Sequence, residues 1–359
     1  MRKSIVVASS ASLLFLGACG GGEAPPEAPP PPARPIGQVV EITPPLGLPP
    51  VPVPADNPPT AETIALGRRL YYETKLSKDG TLSCATCHHP DHGFADGKQF
   101  SAGMGGALGG RNAPTVYNAA YYAQQFWDGR AASLELQAAG PVQNPVEMAE
   151  TLENVEQKLA GDPSYIADFE KAFGPGPVSY DKAGKAIAAF ERTIISANSP
   201  FDRYMYGGEQ DALSASAKRG LEVFRDAKKG NCAVCHTIEE KFALFTDNKY
   251  HNLGVGVDTK GELADLGRFK ETNVDADRGA FKTPSLRNIA LTAPYMHDGS
   301  LNKLKDVIDF YIGGGNSNEW RDKEIHELGF LSGQERQDLQ AFLESLTGEI
   351  PANAGPPTD

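Results

Sequence analysis

Two copies of the pattern Cys-x-x-Cys-His constrain this chain more than any other feature. The first is Cys84-Ala85-Thr86-Cys87-His88 and the second is Cys232-Ala233-Val234-Cys235-His236. Two thiols at this spacing reach the two vinyl groups on one side of a porphyrin, and the histidine that follows can bind the iron as proximal ligand. The motifs therefore predict two covalently attached haems c, with His88 and His236 as iron ligands.

Zinc binding and disulfide formation are the two alternatives for these cysteines. The two pairs begin 148 residues apart, whereas common four-cysteine zinc sites separate their pairs by roughly 15–20 residues. Disulfides are typical of oxidising compartments. Neither alternative explains a histidine directly after each pair, so haem attachment is the preferred interpretation.

The fifth cysteine, Cys19, ends an N-terminal segment typical of exported proteins. Arg2 and Lys3 precede a short apolar run that closes with Leu16-Gly17-Ala18-Cys19, which is the pattern of a secretory signal. The four closing residues also resemble a bacterial lipobox, and an ordinary cleaved signal is the alternative. Residues 1–19 are therefore predicted to be a lipoprotein signal peptide. We expect a periplasmic protein, lipid-anchored through Cys19, with Gly20 favouring the outer membrane.

The charge of the chain restricts its partners. The formal net charge is −12 at pH 7, so the chain lacks the basic surface that nucleic acid binding requires. An acidic surface fits a basic redox protein, because opposite potentials steer encounter. We expect a small cytochrome c or a cupredoxin as electron donor, and contact with a membrane by the lipid anchor only.

The pattern beyond residue 60 predicts a mainly α fold. Strand alternation is scarce, and one clear helical stripe has apolar residues at Leu304, Val307, Ile308 and Tyr311. With one haem motif in each half, we predict two cytochrome c-like helical domains, residues 60–200 and 201–350. Residues 20–59 are rich in proline and glycine and are predicted to form an extended tether. Residues 351–359 are predicted to be a disordered tail.

Several stretches outside the haem motifs resemble the bacterial dihaem cytochrome c peroxidases and their relative MauG. Together with both motifs they occur in that family's order over about residues 60–347. The stretches are Asn112–Thr115, Gln125–Arg130, Gly140–Gln143, Val146–Met148, Thr283–Asn288 and Thr292–Gly299. The resemblance implies a peroxide-binding haem in the first domain and an electron-transfer haem in the second.

The resemblance also implies roles for single residues. Glu147 would be the distal acid–base at the peroxide-binding haem, with Gln137 and Pro141 lining the pocket. Trp127 would lie between the haems as an electron relay. A partly buried carboxyl suits proton transfer during cleavage of peroxide; an acid that merely precedes a helix is the alternative for Glu147.

A calcium ion is a further expectation from the resemblance. Asn112, Thr292 and Pro294 match the family's calcium site between the domains, which uses mostly carbonyl oxygens, as calcium prefers. We also expect a homodimer.

The distal ligands stay open at this point. Many related peroxidases have a histidine where this chain has Met104. The first haem is therefore expected to be open at rest or weakly capped by Met104, unless Met104 never binds iron. For the second haem, Met296 and His297 are two candidates and Tyr311 is a third. Tyr311 matches the family's ligand position and is the residue MauG-like proteins use, although a core tyrosine would show the same helical stripe.

The function expected from these features is reduction of hydrogen peroxide to water with electrons from a periplasmic donor. One alternative is MauG-like oxidation of a protein or small substrate through a high-valent dihaem state. A second alternative is a non-enzymatic dihaem electron carrier, which would require two firm axial ligands on each iron.

Overall fold

Helices form most of the regular structure in the computed structural model, which describes residues 33–325, 327–328 and 331–358. The prediction of a mainly α fold is confirmed. The α-helices are α1 (Ala61–Tyr71), α2 (Cys84–Cys87), α3 (Leu134–Gln137), α4 (Ala139–Gln143), α5 (Leu152–Ala160), α6 (Pro163–Phe173), α7 (Tyr180–Glu191), α8 (Pro200–Met205), α9 (Ala215–Arg225), α10 (Phe269–Thr272), α11 (Leu304–Ile312) and α12 (Gly333–Glu344).

Short elements connect these helices. Strands β1 (Tyr250–His251) and β2 (Phe281–Lys282) pair antiparallel. Single turns of 3₁₀ helix lie at Thr74–Leu76, Pro90–His92, Met104–Gly106, Ala119–Tyr121, Cys232–Val234, Asp275–Asp277 and Ile289–Leu291. Within the described ranges, no helix has both the length and the apolar character needed to cross a membrane. The predicted signal peptide and Cys19 lie outside those ranges.

The two largest apolar cores of the described residues lie on either side of residue 200. The first is built from α1, α5, α6 and α7, and the second from α8, α9, α11 and α12. In each core two helices cross in close contact at a glycine. A Cβ on Gly67 would lie 1.8 Å from the Ala186 carbonyl oxygen of α7, and one on Gly220 would lie 1.9 Å from the Asp338 carbonyl oxygen of α12. This arrangement supports the predicted domain boundary, which stays a prediction.

The predicted tether is wrong for residues 33–59. This segment, called the strap below, lies on the folded body, and its backbone carbonyls accept hydrogen bonds from buried side chains. Lys185 Nζ donates to the Ala33 carbonyl at 2.6 Å, Arg287 Nη2 to Gly47 at 2.7 Å and the Tyr121 hydroxyl to Pro49 at 2.9 Å. A proline-rich segment cannot build a core of its own, but its extended backbone can satisfy donors on a surface that already exists.

The predicted disordered tail is also wrong for the residues after Pro351 that the structure describes. Ala354 is only 2% exposed. Its carbonyl accepts a hydrogen bond from the Tyr72 hydroxyl at 2.6 Å, and Arg68 Nε donates to the Gly355 carbonyl at 2.7 Å. Helix α1 therefore binds the C-terminal segment through backbone carbonyls, which composition alone does not reveal.

Candidate active site

The first haem motif lies on a capped single turn of helix. Ser83 and Thr86 form a capping box around α2, and His88 follows directly. His88 Nδ1 lies 3.3 Å from the Phe94 carbonyl oxygen, a contact that orients the ring and leaves Nε2 free for iron. Burial lowers the pKa of His88, so the imidazole is neutral, as a metal ligand must be.

The second motif repeats this geometry. His236 Nδ1 lies 2.9 Å from the Phe245 carbonyl oxygen, and burial lowers the pKa of His236. Phe94 and Phe245 both have positive φ, at 55° and 53°, and this turn directs their carbonyls at the histidines. None of the four motif cysteines forms a disulfide. The oriented imidazoles and unpaired thiols fit covalent haem at both motifs.

A largely apolar cavity adjoins the second motif. It contains the predicted proximal ligand His236, together with Trp127 and all three candidate distal ligands, which are Tyr311, Met296 and His297. Burial raises the pKa of Tyr311, with Cys232 and Cys235 as the next contributors, so the phenol lies close to the haem-attachment thiols. The structure brings all three candidates to the cavity and does not choose among them.

An internal repeat, absent from the sequence predictions, relates the two halves. Residues 170 apart correspond: Trp127-Asp128-Gly129 matches His297-Asp298-Gly299, and Asn118 matches Asn288. The backbone agrees, since Asn118 and Asn288 have φ of 60° and 59°. The β-bridge between residues 125 and 131 likewise recurs between 295 and 301. The repeated Asp-Gly pairs and asparagines could have shown this relation in the sequence.

The repeat gives Tyr311 a counterpart in the first half, and that residue is Pro141. Proline has no side-chain atom that can bind iron. At the first haem, the position that corresponds to the candidate ligand Tyr311 is therefore occupied by a residue that cannot ligate.

Glu147 lies beside the first motif. Asn144 Nδ2 donates to Glu147 Oε1 at 2.7 Å. Burial raises the pKa of Glu147, although the Asn144 hydrogen bond and the charge of Arg130 oppose that shift. Burial raises the pKa of Cys87, and the nearby carboxylates of Asp96 and Glu147 add to that shift, so Glu147 lies close to the first haem-attachment site.

The loop that carries Met104 packs against the segment of Glu147. The Met104 N–H donates to the Glu147 carbonyl at 2.8 Å. A Cβ on Gly103 would lie 2.0 Å from the Val146 carbonyl oxygen, so only glycine permits this approach. Met104 itself is partly exposed, and its binding to iron stays a prediction.

Gln137 and Pro141 lie on two short helices, α3 and α4, joined by one residue, Ala138, which is itself helical. Residues four apart share a helical face, so Gln137 and Pro141 face the same way. Pro141 cannot donate to the Gln137 carbonyl, which explains why the helix is interrupted between them. Both residues are partly buried.

Trp127 lies between elements of the two halves. Its Nε1 donates to the Asn112 carbonyl at 2.9 Å, and its ring centroid is 6.5 Å from that of His297. The predicted calcium residues Asn112, Thr292 and Pro294 all line the same cavity as Trp127. Asn112 Nδ2 donates to the Lys98 carbonyl at 2.8 Å, and calcium binding stays a prediction.

Two charged groups near the second motif were missed by sequence reasoning. His251 Nε2 lies 3.0 Å from Asp247 Oδ2, and its Nδ1 contacts Asp322. Contact with Cys235 and with both carboxylates raises the pKa of His251 to about 10. Lys282 is buried near Trp127, and burial lowers its pKa to about 7. No motif marks these residues, because Asp322 lies 71 positions from His251 and the carbonyl that Lys282 contacts belongs to a residue 158 positions away.

Two haem-attachment motifs in a helical chain, with a carboxyl beside the first and a tyrosine beside the second, define a dihaem c-type cytochrome. A family model described as "Di-haem cytochrome c peroxidase" matches residues 61–210. The methylamine utilization protein MauG of Methylorubrum extorquens is 41% identical over 300 residues, which cover 83% of this chain and 82% of that protein. The chain belongs to the dihaem cytochrome c peroxidase family.

Two further similarities agree with this assignment. The cytochrome c551 peroxidase of Pseudomonas aeruginosa is 39% identical over 292 residues, covering 80% of this chain and 79% of that protein. The crystal structure of a MauG-like protein associated with microbial copper homeostasis is 35% identical with a TM-score of 0.76, covering 85% of this chain and 95% of that chain. Family membership implies two haems c, as the two motifs predict.

Proposed function

We propose that this protein is a periplasmic peroxidase that reduces hydrogen peroxide to two waters with two electrons from a small cytochrome c or a cupredoxin. Relatives named cytochrome c peroxidase support the reaction. The observation that carries the proposal is the position of Glu147: a partly buried carboxyl, oriented by Asn144, beside the first haem motif. A protein that only carries electrons has no use for a carboxyl held in this way.

The chain's residues supply proton transfer and positioning. The haem held by His88, when bound, supplies the redox chemistry that cleaves the O–O bond. Glu147 Oε1 accepts the Asn144 hydrogen bond, which leaves Oε2 to take a proton from one peroxide oxygen and return it to the other. The raised pKa of Glu147 suits both steps, because the carboxyl can hold the proton in between. Pro141 adds no competing iron ligand to the pocket.

His236 would hold a second haem that supplies electron-transfer chemistry, and Trp127 would relay electrons from the second domain to the first. The indole lines the cavity of the second motif and is held by the Asn112 carbonyl. Two electrons and two protons are needed for each peroxide, so the second domain must deliver both electrons to the first. Trp127 is the aromatic side chain that the family resemblance assigns to this transfer.

The test of this function is low-temperature EPR of the ferric protein before and after one equivalent of peroxide. We expect one high-spin and one low-spin signal, both lost when peroxide is added, because an iron that only His88 ligates would have an open position for peroxide. Two low-spin signals that do not respond to peroxide, even after one-electron reduction, would contradict the proposal and favour the electron carrier.

Replacing Tyr311 with phenylalanine tests the ligand of the second haem. The change removes only the hydroxyl, so the fold of α11 is kept. If the phenol binds iron, the low-spin EPR signal is expected to disappear completely and a second high-spin signal to replace it. An unchanged low-spin signal would instead assign the ligand to another side chain in the cavity. Loss of that signal in a Met296→Leu variant would then identify Met296 as the ligand.

A second candidate function is MauG-like oxidation of a protein or small substrate. Tyr311 favours it, since an anionic oxygen ligand stabilises oxidised iron, whereas a thioether raises the potential. Steady-state assays separate the two functions. Peroxide-dependent oxidation of reduced cytochrome c supports the peroxidase, whereas absence of donor oxidation, with peroxide still consumed, supports the MauG-like reaction.

The anchor, the calcium ion and the dimer are proposals of the same kind. The lipobox supports lipidation at Cys19, which mass spectrometry of the membrane-extracted protein would test. Calcium binding is supported by the position of the three predicted ligands, which line one cavity: Asn112, Thr292 and Pro294. Metal analysis after dialysis against chelator would test it. Sedimentation velocity would test the dimer.

A further inference from the structure

The segment that carries Trp127, residues 122–129, is bound by two cations from the second half. Lys282 Nζ donates to the Gln124 carbonyl at 2.8 Å, and the Lys282 N–H donates to the Trp127 carbonyl at 2.8 Å. Arg268 Nη1 donates to the Asp128 and Gly129 carbonyls at 2.8 and 3.0 Å. We call residues 122–129 the bridge segment.

The same two cations also cover the tyrosine rings next to the bridge segment. Lys282 Nζ lies 3.7 Å from the centroid of the Tyr122 ring, and Arg268 Cζ lies 4.5 Å from that of Tyr250. Tyr122 lines the cavity of the second motif together with Trp127, and the Tyr250 hydroxyl donates to Gln124 Oε1 at 2.7 Å. Both phenols are therefore close enough to the relay to compete for oxidation.

The ring of Trp127 differs from these tyrosine rings in having no cation over it among the described residues. Cations do cover its neighbours Phe126 (Arg130, 3.5 Å) and Phe281 (Arg111, 5.3 Å). A cation over a ring stabilises the electron-rich reduced ring and opposes removal of an electron from it. Lys282 is only 7% exposed, so solvent and salt screen its charge weakly.

We propose that Lys282 and Arg268 are positioning residues that protect Tyr122 and Tyr250 from oxidation, so that oxidising equivalents from peroxide pass through Trp127. This inference rests on the relay role proposed above for Trp127. Each peroxide removes two electrons from the enzyme, and donor electrons normally restore them. Without the covering cation, Tyr122 would pass one electron by way of Trp127 to the enzyme that peroxide has oxidised, and release its phenolic proton to solvent, which leaves a neutral tyrosyl radical.

The test is freeze-quench EPR of the holoprotein with one equivalent of hydrogen peroxide and no donor. It is done at pH 6, because Lys282 carries its charge below its pKa of about 7. In Lys282→Met the tyrosyl signal is expected to rise at least about tenfold over the wild type, since a unit charge about 4 Å from the ring is removed. In the double variant with Tyr122→Phe this signal should disappear.

A matched control is available in the second core. Lys218 Nζ lies 5.2 Å from the Tyr204 ring, and neither residue lies in the bridge segment or the cavity. Lys218→Met is therefore expected to keep the wild-type spectrum. A second test uses Arg268→Met at the other tyrosine, with Tyr250→Phe added in the double variant. This test remains available if Lys282→Met does not fold.

Three outcomes would overturn the inference. One is a tyrosyl yield at the wild-type level in both cation variants while peroxide still bleaches the ferric signals. Another is a Tyr122 radical signal in the wild type that is as strong as the signal in Lys282→Met. The third is a tyrosyl signal in Lys282→Met that stays unchanged when Trp127→Phe is added to that variant. Ferric signals in the wild type that do not respond to peroxide would identify failure of the peroxidase function itself.

Discussion

Replacing Glu147 with glutamine is expected to lower kcat/KM for hydrogen peroxide at least about 100-fold, the usual contribution of a general acid–base group. Glutamine has the size of glutamate, and its carbonyl can still accept the hydrogen bond that Asn144 donates at 2.7 Å. It cannot take a proton from one peroxide oxygen and return it to the other. Steady-state oxidation of reduced cytochrome c measures the loss, and the absorbance of the reduced haem checks that haem content is unchanged.

The pH profile distinguishes proton transfer by Glu147 from a structural effect of the substitution. The base is the ionised carboxylate, and burial raises its pKa above the usual 4.5. Wild-type kcat/KM should therefore fall as the pH is lowered through this raised pKa, and the acid limb should be missing from Glu147→Gln. Glu153→Gln, on the exposed first turn of α5, serves as control and should keep wild-type values. Wild-type turnover in Glu147→Gln would remove Glu147 from the mechanism.

The haem-binding residues could be predicted from the sequence because their chemistry is local. Two thiols and an imidazole within five residues define the attachment site without knowledge of the fold. The carbonyls that orient the two imidazoles could not be predicted in this way. They belong to Phe94 and Phe245, which have positive φ, a conformation that bulky residues rarely adopt and that tertiary packing must impose.

The surroundings of Trp127 could not be predicted for a different reason. Lys282 contacts the carbonyl of a residue 158 positions away, and neither partner belongs to a motif. The strap was mispredicted because composition measures whether a segment can fold alone. It does not show whether a body folded elsewhere in the chain offers donors, such as Lys185 and Arg287, to the segment's carbonyls.

Asp202→Asn is expected to have the largest effect on stability. Arg287 Nη1 and Nη2 each donate to a carboxylate oxygen of Asp202 at 2.9 Å, and the two side chains are 1% and 0% exposed. Arg287 also donates to the carbonyls of Ala243 at 2.8 Å and Gly47 at 2.7 Å. The substitution leaves the guanidinium buried without its counter-charge, which costs about 3–5 kcal/mol. Denaturant unfolding of the holoprotein measures this loss.

A surface ion pair provides the control for that prediction. Asp275 lies 2.9 Å from Arg278, and the side chain of Asp275 is 79% exposed. Asp275→Asn should change the free energy of unfolding by no more than about 1 kcal/mol, because solvent screens exposed pairs. A loss of only this size in Asp202→Asn would mean that the carbonyls of Ala243 and Gly47 satisfy Arg287 by themselves. The charge of Asp202 would then not be needed to hold the strap and α8 together.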